Sequence, residues 1–552
     1  MKKQRNVAEF VVQCLEQEGV EYIFGIPGEE NLDLINALYD SKIKFITVRH
    51  EQGAAFMADV YGRLTGHAGV CLSTLGPGAT NLVTGVADAD SDGAPLIALT
   101  GQVSTNKMHI TAHQFLDLVQ LFEPITKRSK QIVEPASVNE IIRLAFKYAE
   151  SEKPGACHID LPVNIAKLPV EESEKPLIRR QLPVELPSEN AIKVAVDTIN
   201  KAKRPVILAG NGAVRAHAEK ALTLFSNLLK IPVINTMMAK GIVPCDNAYS
   251  LLTIGTPQKD YVNKYIESAD VVITVGYDII EYSPDKWNYQ NKASIVHIDA
   301  RPAHINKHYQ PVIDVVGDIS ISLQKLVSLC TEKEDPTLAF HLRRKMEQEY
   351  VQYAKDTAFP MKPQKILFDI HRIIGKDGIL ISDVGAHKMW IARHYNCYQP
   401  NTCIISNGFA SMGIALPGAI VSKMIYPDRK ILAVTGDGGF LMNVQELETA
   451  VRLKLAFVVL IFNDSGYGLI KWKQEDYFGK SRYVDFDNPD FLKLAESFGC
   501  KGYRIQAADE LLPTLKEAFS QEVPTVIDCA VDYGENQKLT KHLEDIYHLP
   551  LE

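Results

Sequence analysis

The chain has 552 residues, too many for one hydrophobic core, and this length predicts about three domains. A formal net charge of −8 and the lack of a long basic run argue against a nucleic-acid-binding protein. No apolar run reaches membrane-spanning length. The nine cysteines are scattered without a Cys-x-x-Cys pair, which is typical of reduced thiols. We therefore expect a cytosolic globular protein that binds neither nucleic acid nor membrane.

Short β-branched runs alternate with helical patterns along almost the whole chain. Examples in chain order are "GVCLST" (69–74), "PVILAG" (205–210), "ADVVITVG" (269–276) and "KILAVTG" (430–436). This alternation predicts an α/β protein with parallel, doubly wound sheets. Charged, proline-containing segments near 170–190 and 329–364 interrupt the pattern. We therefore predict three doubly wound parallel-sheet domains, at 1–168, 188–332 and 362–540.

The third predicted domain places one carboxylate among glycines, in Gly436-Asp437-Gly438-Gly439, at the end of a strand-like run. Glycines there let backbone N–H groups approach a phosphate, and the following helix points its positive end towards it. A carboxylate would repel the phosphate unless a divalent cation lay between them. The stretch therefore suits a magnesium ligand at Asp437, with Gly438 and Gly439 beside the phosphate. Taken alone, it suits a tight surface turn better.

The next strand changes this balance. The run "FVVLIFNDSGYGLI" (457–470) places Asp464 27 positions after Asp437, the span of one strand–helix–strand unit. Both acids can therefore stand at neighbouring strand ends, with the Gly466 carbonyl as a third ligand and phosphate and water completing an octahedron. Asn463 is an alternative ligand, with Asp464 then capping the turn. Together the two segments favour a diphosphate–metal site.

The spacing of Gly436-Asp437-Gly438 and Asn463-Asp464 resembles the signature of thiamine-diphosphate (ThDP) enzymes, and the resemblance covers nearly the whole chain. It implies that the three domains are pyrimidine-binding, central and diphosphate-binding. The segment "VRHEQGAAFMADVYGR" (48–63) is similar to the one that holds the family's catalytic glutamate, which maps onto Glu51. Such a carboxyl bonds to the pyrimidine N1′ and promotes loss of the thiazolium C2 proton, which requires a largely apolar pocket.

Further segments resemble the family's cofactor contacts. In "ISNGFASMGIALPGAI" (405–420), Met412 would be the bulky side chain under the bent cofactor, and the Ala410 carbonyl would accept from its 4′-amino group. Ordinary core packing is the alternative for Met412. In "SDVGAHKMW" (382–390), His387 would contact the diphosphate. The cofactor-binding residues implied by the resemblance are Pro27, Gly28, Glu51, Thr74, Gly76, Asn81, Gly385, Ala386, His387, Gly408, Ala410, Met412, Gly436, Gly438, Gly439, Tyr467, Gly468 and Leu469.

Narrower signals point to one branch of the family. The segments "HQFLDLVQLFEPITK" (113–127) and "GYDIIEYSPDKWN" (276–288) look like catabolic, FAD-independent acetolactate synthases, in which Gln114 would face the reacting end of ThDP. The resemblance implies decarboxylation of pyruvate and carboligation to a second pyruvate, giving 2-acetolactate and CO2, with ThDP and Mg2+ as cofactors. FAD-binding relatives carry a Gly-Arg-Phe-Asp-like segment where this chain has 277–288 without arginine, so FAD is not expected. The alternatives are an FAD-containing acetohydroxyacid synthase of branched-chain amino-acid biosynthesis and a flavin-dependent pyruvate oxidase.

The acceptor site and the assembly are less sharply defined. Lys473 corresponds to the family position that holds tryptophan in biosynthetic and glutamine in catabolic members, and Trp472 is one place earlier. A lysine there would attract the acceptor carboxylate or simply face solvent, whereas Trp472 in that place would favour 2-ketobutyrate. The resemblance also implies a homo-oligomer, a dimer or a tetramer, with active sites at the subunit interface. The C-terminal stretch from 533 would be a lid or, more simply, an inert tail.

Overall fold

The computed structural model describes residues 4–180, 184–255, 259–541 and 543. Within these residues, eighteen strands form three six-stranded sheets, and all strand pairs are parallel. α-Helices connect most consecutive strands, whereas β8–β9, β10–β11 and β11–β12 are joined without one in the described chain. The predicted α/β class with three parallel-sheet domains is confirmed.

The N-terminal sheet has the strand order β2-β1-β3-β4-β6-β5. Its strands are β1 Tyr22–Gly25, β2 Lys44–Thr47, β3 Gly69–Ser73, β4 Leu96–Gln102, β5 Arg128–Gln131 and β6 Ala156–Pro162. The helices are α1 Val7–Glu18, α2 Leu32–Leu38, α3 Glu51–Thr65, α4 Pro77–Asp92, α5 Leu118–Phe122, α6 Val138–Glu150 and α7 Val163–Ala166. The central strands β3, β4 and β6 are buried along their whole length, as continuous apolar runs require.

The central sheet has the order β12-β11-β10-β7-β8-β9. Its strands are β7 Pro205–Ala209, β8 Val233–Asn235, β9 Ser250–Thr253, β10 Val271–Val275, β11 Ser294–Asp299 and β12 Ile313–Val316. The helices are α8 Glu189–Lys201, α9 Asn211–Arg215, α10 Glu219–Leu229, α11 Tyr261–Glu267 and α12 Ile319–Leu329, and α13 Thr337–Gln352 leads towards the third sheet. The chain leaves β7 in one direction through β8 and β9 and later returns to its other side at β10. The β7/β10 pair is therefore the switch point of this sheet.

The third sheet has the order β14-β13-β15-β16-β18-β17. Its strands are β13 Ile379–Ser382, β14 Cys403–Ile405, β15 Ile431–Gly436, β16 Val458–Asn463, β17 Lys501–Ile505 and β18 Thr525–Ala530. The helices are α14 Pro363–Ile374, α15 Ala386–His394, α16 Ala415–Ile425, α17 Asp437–Met442, α18 Glu446–Arg452, α19 Gly468–Phe478, α20 Phe491–Ser497 and α21 Leu511–Ala518. Short 3-10 segments across the chain are Glu29–Asn31, Thr105–Lys107, Glu123–Ile125, Pro135–Ser137, Met237–Ala239, Pro284–Lys286, Tyr353–Lys355 and Tyr533–Leu539.

The chain folds into two compact units. The first comprises the described residues within 1–182, 408–427 and 443–455, and the second comprises those within 183–407, 428–442 and 456–552. Helices α16 and α18 therefore belong to the same unit as the N-terminal sheet, and α16 packs against α3 there. Each unit has a core of buried aliphatic and aromatic side chains. Across the described residues, no helix is both long enough and apolar enough to cross a bilayer.

Candidate active site

In the first unit, Glu51 is the first residue of α3, and its carboxylate is turned inward. The side chain is buried, with 8% of the residue exposed. The Asn81 side chain on α4 donates from Nδ2 to Glu51 Oε2 at 2.9 Å. The following residues 53–58 are all buried. The start of α3 thus presents one carboxyl in a water-poor environment, oriented by an amide from the neighbouring helix.

Loops at the carboxyl ends of the N-terminal strands lie beside one another. Gly76, at the start of α4, has φ +52°, and a Cβ there would lie 2.8 Å from the carbonyl oxygen of Gln114. Gln114 is exposed and has φ +56°. Gly28, after the exposed Pro27, packs against Thr74 so closely that a Cβ would lie 2.4 Å from the Thr74 Cβ. The fold therefore brings these predicted residues to one edge of the sheet.

The predicted cofactor-bending loop, residues 408–412, also belongs to the first unit. Ala410 has φ +59°, an unusual backbone conformation for a residue with a Cβ, and Met412 is half-buried just before α16. Such a conformation is maintained only where surrounding contacts over-determine it.

A buried ion cluster supplies those contacts, and its members are Asp59, Arg63, Asp88 and Asp92. The Arg63 guanidinium lies 2.8 Å from Asp88 Oδ2 and 2.9 Å from Asp92 Oδ2. The other oxygens of these carboxylates accept backbone N–H groups of the loop. Asp92 Oδ1 accepts from Gly408 at 2.5 Å, and Asp88 Oδ1 accepts from Ser411 at 3.3 Å. Helices α3 and α4 thus fix the loop through charge-assisted hydrogen bonds.

In the second unit, two carboxylates stand at adjacent strand ends. Asp437 follows β15 and is buried, and Asp464 directly follows β16 and is half-buried. The strands are paired, with Gly436 opposite Phe462. Burial raises the pKa of Asp464 to about 7, and the negative charge of Asp437 acts in the same direction. Two carboxylates in this arrangement are suited to share a cation.

Asn488 links the two strand ends. Its Nδ2 donates to Asp437 Oδ2 at 2.8 Å and to Asn463 Oδ1 at 3.1 Å. The Asn463 amide in turn donates to Asp528 Oδ1 at 2.8 Å. Both polar atoms of the Asn463 side chain are thus engaged within the protein.

Buried polar atoms without a hydrogen-bond partner in the described structure surround this pair. They are His387 Nε2, Tyr533 Oη and Asn488 Oδ1. The His387 ring lies at van der Waals distance from the Cβ position of Gly436, and burial lowers the pKa of His387 to about 4, so the ring is neutral. Burial raises the pKa of Tyr533 well above its usual value, and the nearby charges of Asp464 and Asp437 add to this effect. Since buried polar groups are normally paired, these atoms mark a place for a polar ligand.

The remaining predicted residues complete the same edge of the third sheet. Gly385 precedes α15, Ala386 begins it, and Gly439 lies on α17. Gly466 is buried, and Gly468 and Leu469 begin α19. The Tyr467 ring covers Gly438, where a Cβ would lie 2.9 Å from the ring edge.

The residues considered for the acceptor site have different environments. Trp472 is buried in the core of the second unit, 4% exposed, and its indole N–H has no hydrogen-bond partner among the described residues. Lys473, on the same helix, is exposed to solvent. The stretch from 533, predicted as a tail, is packed in its described part. Asn536 is buried and accepts from the Trp390 indole at 2.8 Å. Residues 542 and 544–552 lie outside the described residues.

The donor set fits magnesium bound together with a diphosphate. The described residues contain no group of three or more His, Cys, Asp or Glu side chains placed to hold a metal. A hard cation held by Asp437, Asp464 and a backbone carbonyl would therefore need further oxygen ligands, which phosphate and water provide. The neutral His387 and the Tyr533 hydroxyl are suited to donate to the same phosphate oxygens.

Comparison with known proteins agrees with this chemistry. Three family models match the chain: the thiamine pyrophosphate enzyme N-terminal TPP binding domain at 5–122, the central domain at 192–326, and the C-terminal TPP binding domain at 383–529. The chain belongs to the thiamine pyrophosphate enzymes. The glycine-flanked Asp437 and the paired Asp464 thus lie within a ThDP-binding domain, and the chain is an enzyme of this family.

Relatives that match the chain over nearly its full length show to which group of thiamine pyrophosphate enzymes it belongs. The chain is 36% identical over 542 residues to "Acetolactate synthase" of Bacillus subtilis, covering 96% of this chain and 94% of that protein. It is 35% identical over 542 residues to "Acetolactate synthase, catabolic" of Raoultella terrigena, covering 97% of each. It is also 36% identical over 551 residues to "Probable acetolactate synthase large subunit" of Methanococcus aeolicus, covering 96% and 92%. This ThDP enzyme therefore belongs to the acetolactate synthase family, in which catabolic and large-subunit members are similarly close to it.

Sequence reasoning missed several side chains of the site. Asn488 donates to Asp437, the charges of Asp464 and Asp437 help to raise the pKa of Tyr533, and Arg63 with its aspartates supports the 408–412 loop. No motif identifies them, because Asn488 and Tyr533 lie far along the chain from Asp437, and the loop that the Arg63 cluster supports is more than 300 positions away from it. Only Tyr533 has a usable signal in the sequence, because the sequence allows the C-terminal stretch that begins there to be a lid over the site.

The carboxylate pair generates a stability prediction for the protein without ligands. The folded-state pKa of Asp464 is about 7 and that of an unfolded chain about 4, so ionisation of this group opposes folding. Stability is lost as the pH rises from about 4 to about 7 and is not regained above that. We expect Asp464→Asn to be more stable than the parent by about 1–3 kcal/mol at pH 8, with a smaller difference at pH 5.

Denaturant unfolding of both proteins at the two pH values measures this difference. Asp476→Asn, which changes an exposed acid on α19, is the matched control and should leave stability unchanged. A variant that is less stable than the parent at pH 8 would contradict the interpretation.

Proposed function

We propose that this enzyme is an acetolactate synthase of the catabolic, FAD-independent type. It would decarboxylate pyruvate and join the remaining two-carbon unit to a second pyruvate, giving 2-acetolactate and CO2. The observation that carries the proposal is the full-length similarity to acetolactate synthases, together with the orientation of Glu51 by Asn81. We also propose domain limits at 1–168, 188–332 and 362–540, with the N-terminal, central and C-terminal sheets as their cores.

The second unit would hold the diphosphate end of the cofactor. We assign Asp437, Asp464 and the Gly466 carbonyl to Mg2+, and Asn488 supports this role because it fixes Asp437 Oδ2. His387 Nε2 and the Tyr533 hydroxyl would donate to phosphate oxygens, since both are buried without a partner among the described residues. Gly385, Ala386, Gly436, Gly438 and Gly439 would supply backbone N–H groups and close approach, and Tyr467, Gly468 and Leu469 would border the same end.

The first unit would handle the pyrimidine end and the substrate. When bound, ThDP supplies a nucleophilic carbon and an electron sink. The Glu51 carboxyl would share a proton with the pyrimidine N1′, and its burial keeps water from competing for that proton. The Ala410 carbonyl would accept from the 4′-amino group and Met412 would support the bent shape. Gln114 would orient pyruvate with its amide, next to Gly76.

We propose a homo-oligomer, a dimer or a tetramer, in which each active site uses residues of two subunits. The support is the family resemblance, in which the cofactor lies between the first domain of one subunit and the third domain of its neighbour. One pyruvate is the proposed donor, and the keto carbon of a second pyruvate is the proposed acceptor.

Activity with defined cofactors tests the reaction. Purified protein with ThDP and Mg2+ should convert pyruvate to 2-acetolactate and CO2 in a ratio of one to one, measured by product analysis. Glu51→Gln removes the proton-sharing carboxyl while keeping its size, and we expect a loss of about 100-fold or more in kcat. Release of acetaldehyde alone would refute carboligation, and an equally active Glu51→Gln variant would refute the role of Glu51.

The central sheet supports FAD independence through the loops at its switch point. Gly276 has φ +58°, and a Cβ there would lie 2.0 Å from the Ala213 nitrogen, so the loops after β7 and β10 touch backbone to backbone. The buried Glu281 carboxylate accepts from Asn211 N–H at 2.9 Å and from the Thr236 hydroxyl at 2.6 Å. The two loops and the Glu281 carboxylate thus contact one another at the place where such a sheet usually binds a dinucleotide, which supports FAD independence.

We accordingly expect a colourless protein whose activity is unchanged by added FAD. The measurement is the visible absorbance of purified protein, chromatography of any released flavin, and product formation with and without FAD. Stoichiometric bound flavin would favour the biosynthetic FAD-containing enzyme. Consumption of oxygen with pyruvate would instead favour a pyruvate oxidase.

Acceptor preference is the last part of the proposal. Because the Lys473 side chain is exposed, we expect it to face solvent, so Lys473→Gln should leave the ratio of products from equimolar pyruvate and 2-ketobutyrate within about 2-fold of the parent. Pyruvate should be the preferred acceptor in both. A fall of about 10-fold or more in kcat/KM for the acceptor would instead assign the lysine to the acceptor carboxylate.

A further inference from the structure

A second buried carboxylate lies at the start of α3. Glu446 begins α18 and is fully buried, yet its side chain reaches across to the turn before Glu51. Its Oε1 accepts from the N–H groups of Arg49 at 3.0 Å and His50 at 3.1 Å. Its Oε2 accepts from the Thr449 hydroxyl at 2.7 Å. Although 396 positions separate Glu446 from His50, both belong to the first compact unit.

These contacts fix the backbone from which Glu51 projects. A helix N-terminus leaves N–H groups without intrahelical acceptors, and a carboxylate is the preferred partner there. A Cβ at Gly53 would lie 2.9 Å from Glu446 Oε1, so the carboxylate packs directly on the first turn of α3. Burial raises the pKa of Glu446, while the hydrogen bonds from Thr449 and from the backbone oppose that shift.

Asn443 forms a second link from the same segment. It is buried, and its Nδ2 donates to Gln52 Oε1 at 3.1 Å and to the Gly413 carbonyl at 2.8 Å. Gln52 directly follows Glu51, and Gly413 directly follows Met412. The residues on both sides of Glu51 are therefore held by one short segment, 443–446.

We propose that Glu446 is a positioning residue for the reaction, which holds the first turn of α3 so that the Glu51 carboxyl meets the pyrimidine N1′. Asn443 assists from the other side of Glu51. The inference rests on the proposed role of Glu51. Proton sharing between carboxyl and pyrimidine requires hydrogen-bond distance, and a displacement of about 1 Å can cost about 100-fold in rate. If Glu446 no longer accepts from the Arg49 and His50 N–H groups, the first turn of α3 is free to shift by such a distance.

Three substitutions separate acceptor geometry from charge. Glu446→Gln keeps an oxygen for both backbone N–H groups and turns its amide to Thr449, whose hydroxyl can accept. Glu446→Asp keeps the charge but withdraws it by one methylene, and Glu446→Ala removes the acceptor. Glu18→Ala is the matched control, because Glu18 is also a buried, paired carboxylate but lies on α1 and contacts Arg143.

The first readout is made on protein without cofactor. Hydrogen–deuterium exchange of peptides spanning 48–54 should be at least about 10-fold faster in Glu446→Ala and Glu446→Asp than in the parent, and close to the parent in Glu446→Gln. Glu18→Ala should leave this segment unchanged even though its unfolding midpoint falls.

The second readout is the exchange rate of the C2 proton of bound ThDP, followed by NMR. We expect the alanine and aspartate variants to lose about 10- to 100-fold, the glutamine variant to stay within about 3-fold, and ThDP affinity to change less than the exchange rate. An alanine variant with parental exchange of the C2 proton overturns the proposal. Should the alanine variant fail to fold, aspartate equal to glutamine in both readouts overturns it as well.

Glu51→Gln distinguishes failure of this inference from failure of the proposed function. If that variant exchanges the C2 proton at the parental rate, the role of Glu51 is wrong and the positioning role of Glu446 falls with it. If Glu51→Gln is slow while Glu446→Ala is not, only the positioning role is overturned.

Discussion

The arrangement of the rest of the site depends on the repulsion between two carboxylates at the ends of β15 and β16. Asp437 is buried and Asp464 is half-buried, and the pKa of Asp464 rises to about 7 through burial and through the charge of its neighbour. Such a pair is unfavourable in isolation and becomes favourable when a divalent cation neutralises it. Beside this pair, His387 Nε2 and the Tyr533 hydroxyl are uncharged groups without a partner among the described residues, and both are suited to donate to an anionic ligand. The repulsion that destabilises this carboxylate pair in the protein without ligands is the same interaction that favours binding of a cation.

Buried acids perform a different task in the first unit, where they fix the backbone instead of holding an ion. Asp88 and Asp92 each use one oxygen for Arg63 and the other for the 408–411 loop. Glu446 takes two backbone N–H groups beside Glu51. Because an unpaired buried charge costs several kcal/mol, each of these acids tolerates only the geometry that satisfies it. Segments far apart in sequence are thereby held in one arrangement, which a reaction sensitive to displacements of about 1 Å requires.

The features of this enzyme that depend on local sequence pattern could be predicted from the sequence. The alternation of apolar runs and helical stretches predicted the three parallel sheets, and the glycine-flanked Asp437 with Asp464 followed from their spacing. Glu51 and Met412 came only through family resemblance, since one acid at a helix start and one methionine carry no pattern of their own. Neither route identified Asn488 or Glu446, and the segment that begins at Tyr533 is predicted only as a lid or a tail. The roles of these residues exist only because the fold brings them to distant partners, as for Asn488 with Asp437, 51 positions away, and Glu446 with Arg49, 397 positions away.

Comparison of the central and third sheets shows that the same sheet architecture can serve different functions when its loops differ. All three sheets are parallel and six-stranded, but the loops at their strand carboxyl ends differ. In the third sheet those loops leave buried donors without partners, whereas in the central sheet Glu281 already takes the Asn211 amide and the Thr236 hydroxyl. A polar group that is satisfied by the protein has no need of a ligand, and one that is not satisfied does. This contrast supports our proposals of a diphosphate site in the C-terminal domain and of FAD independence in the central one.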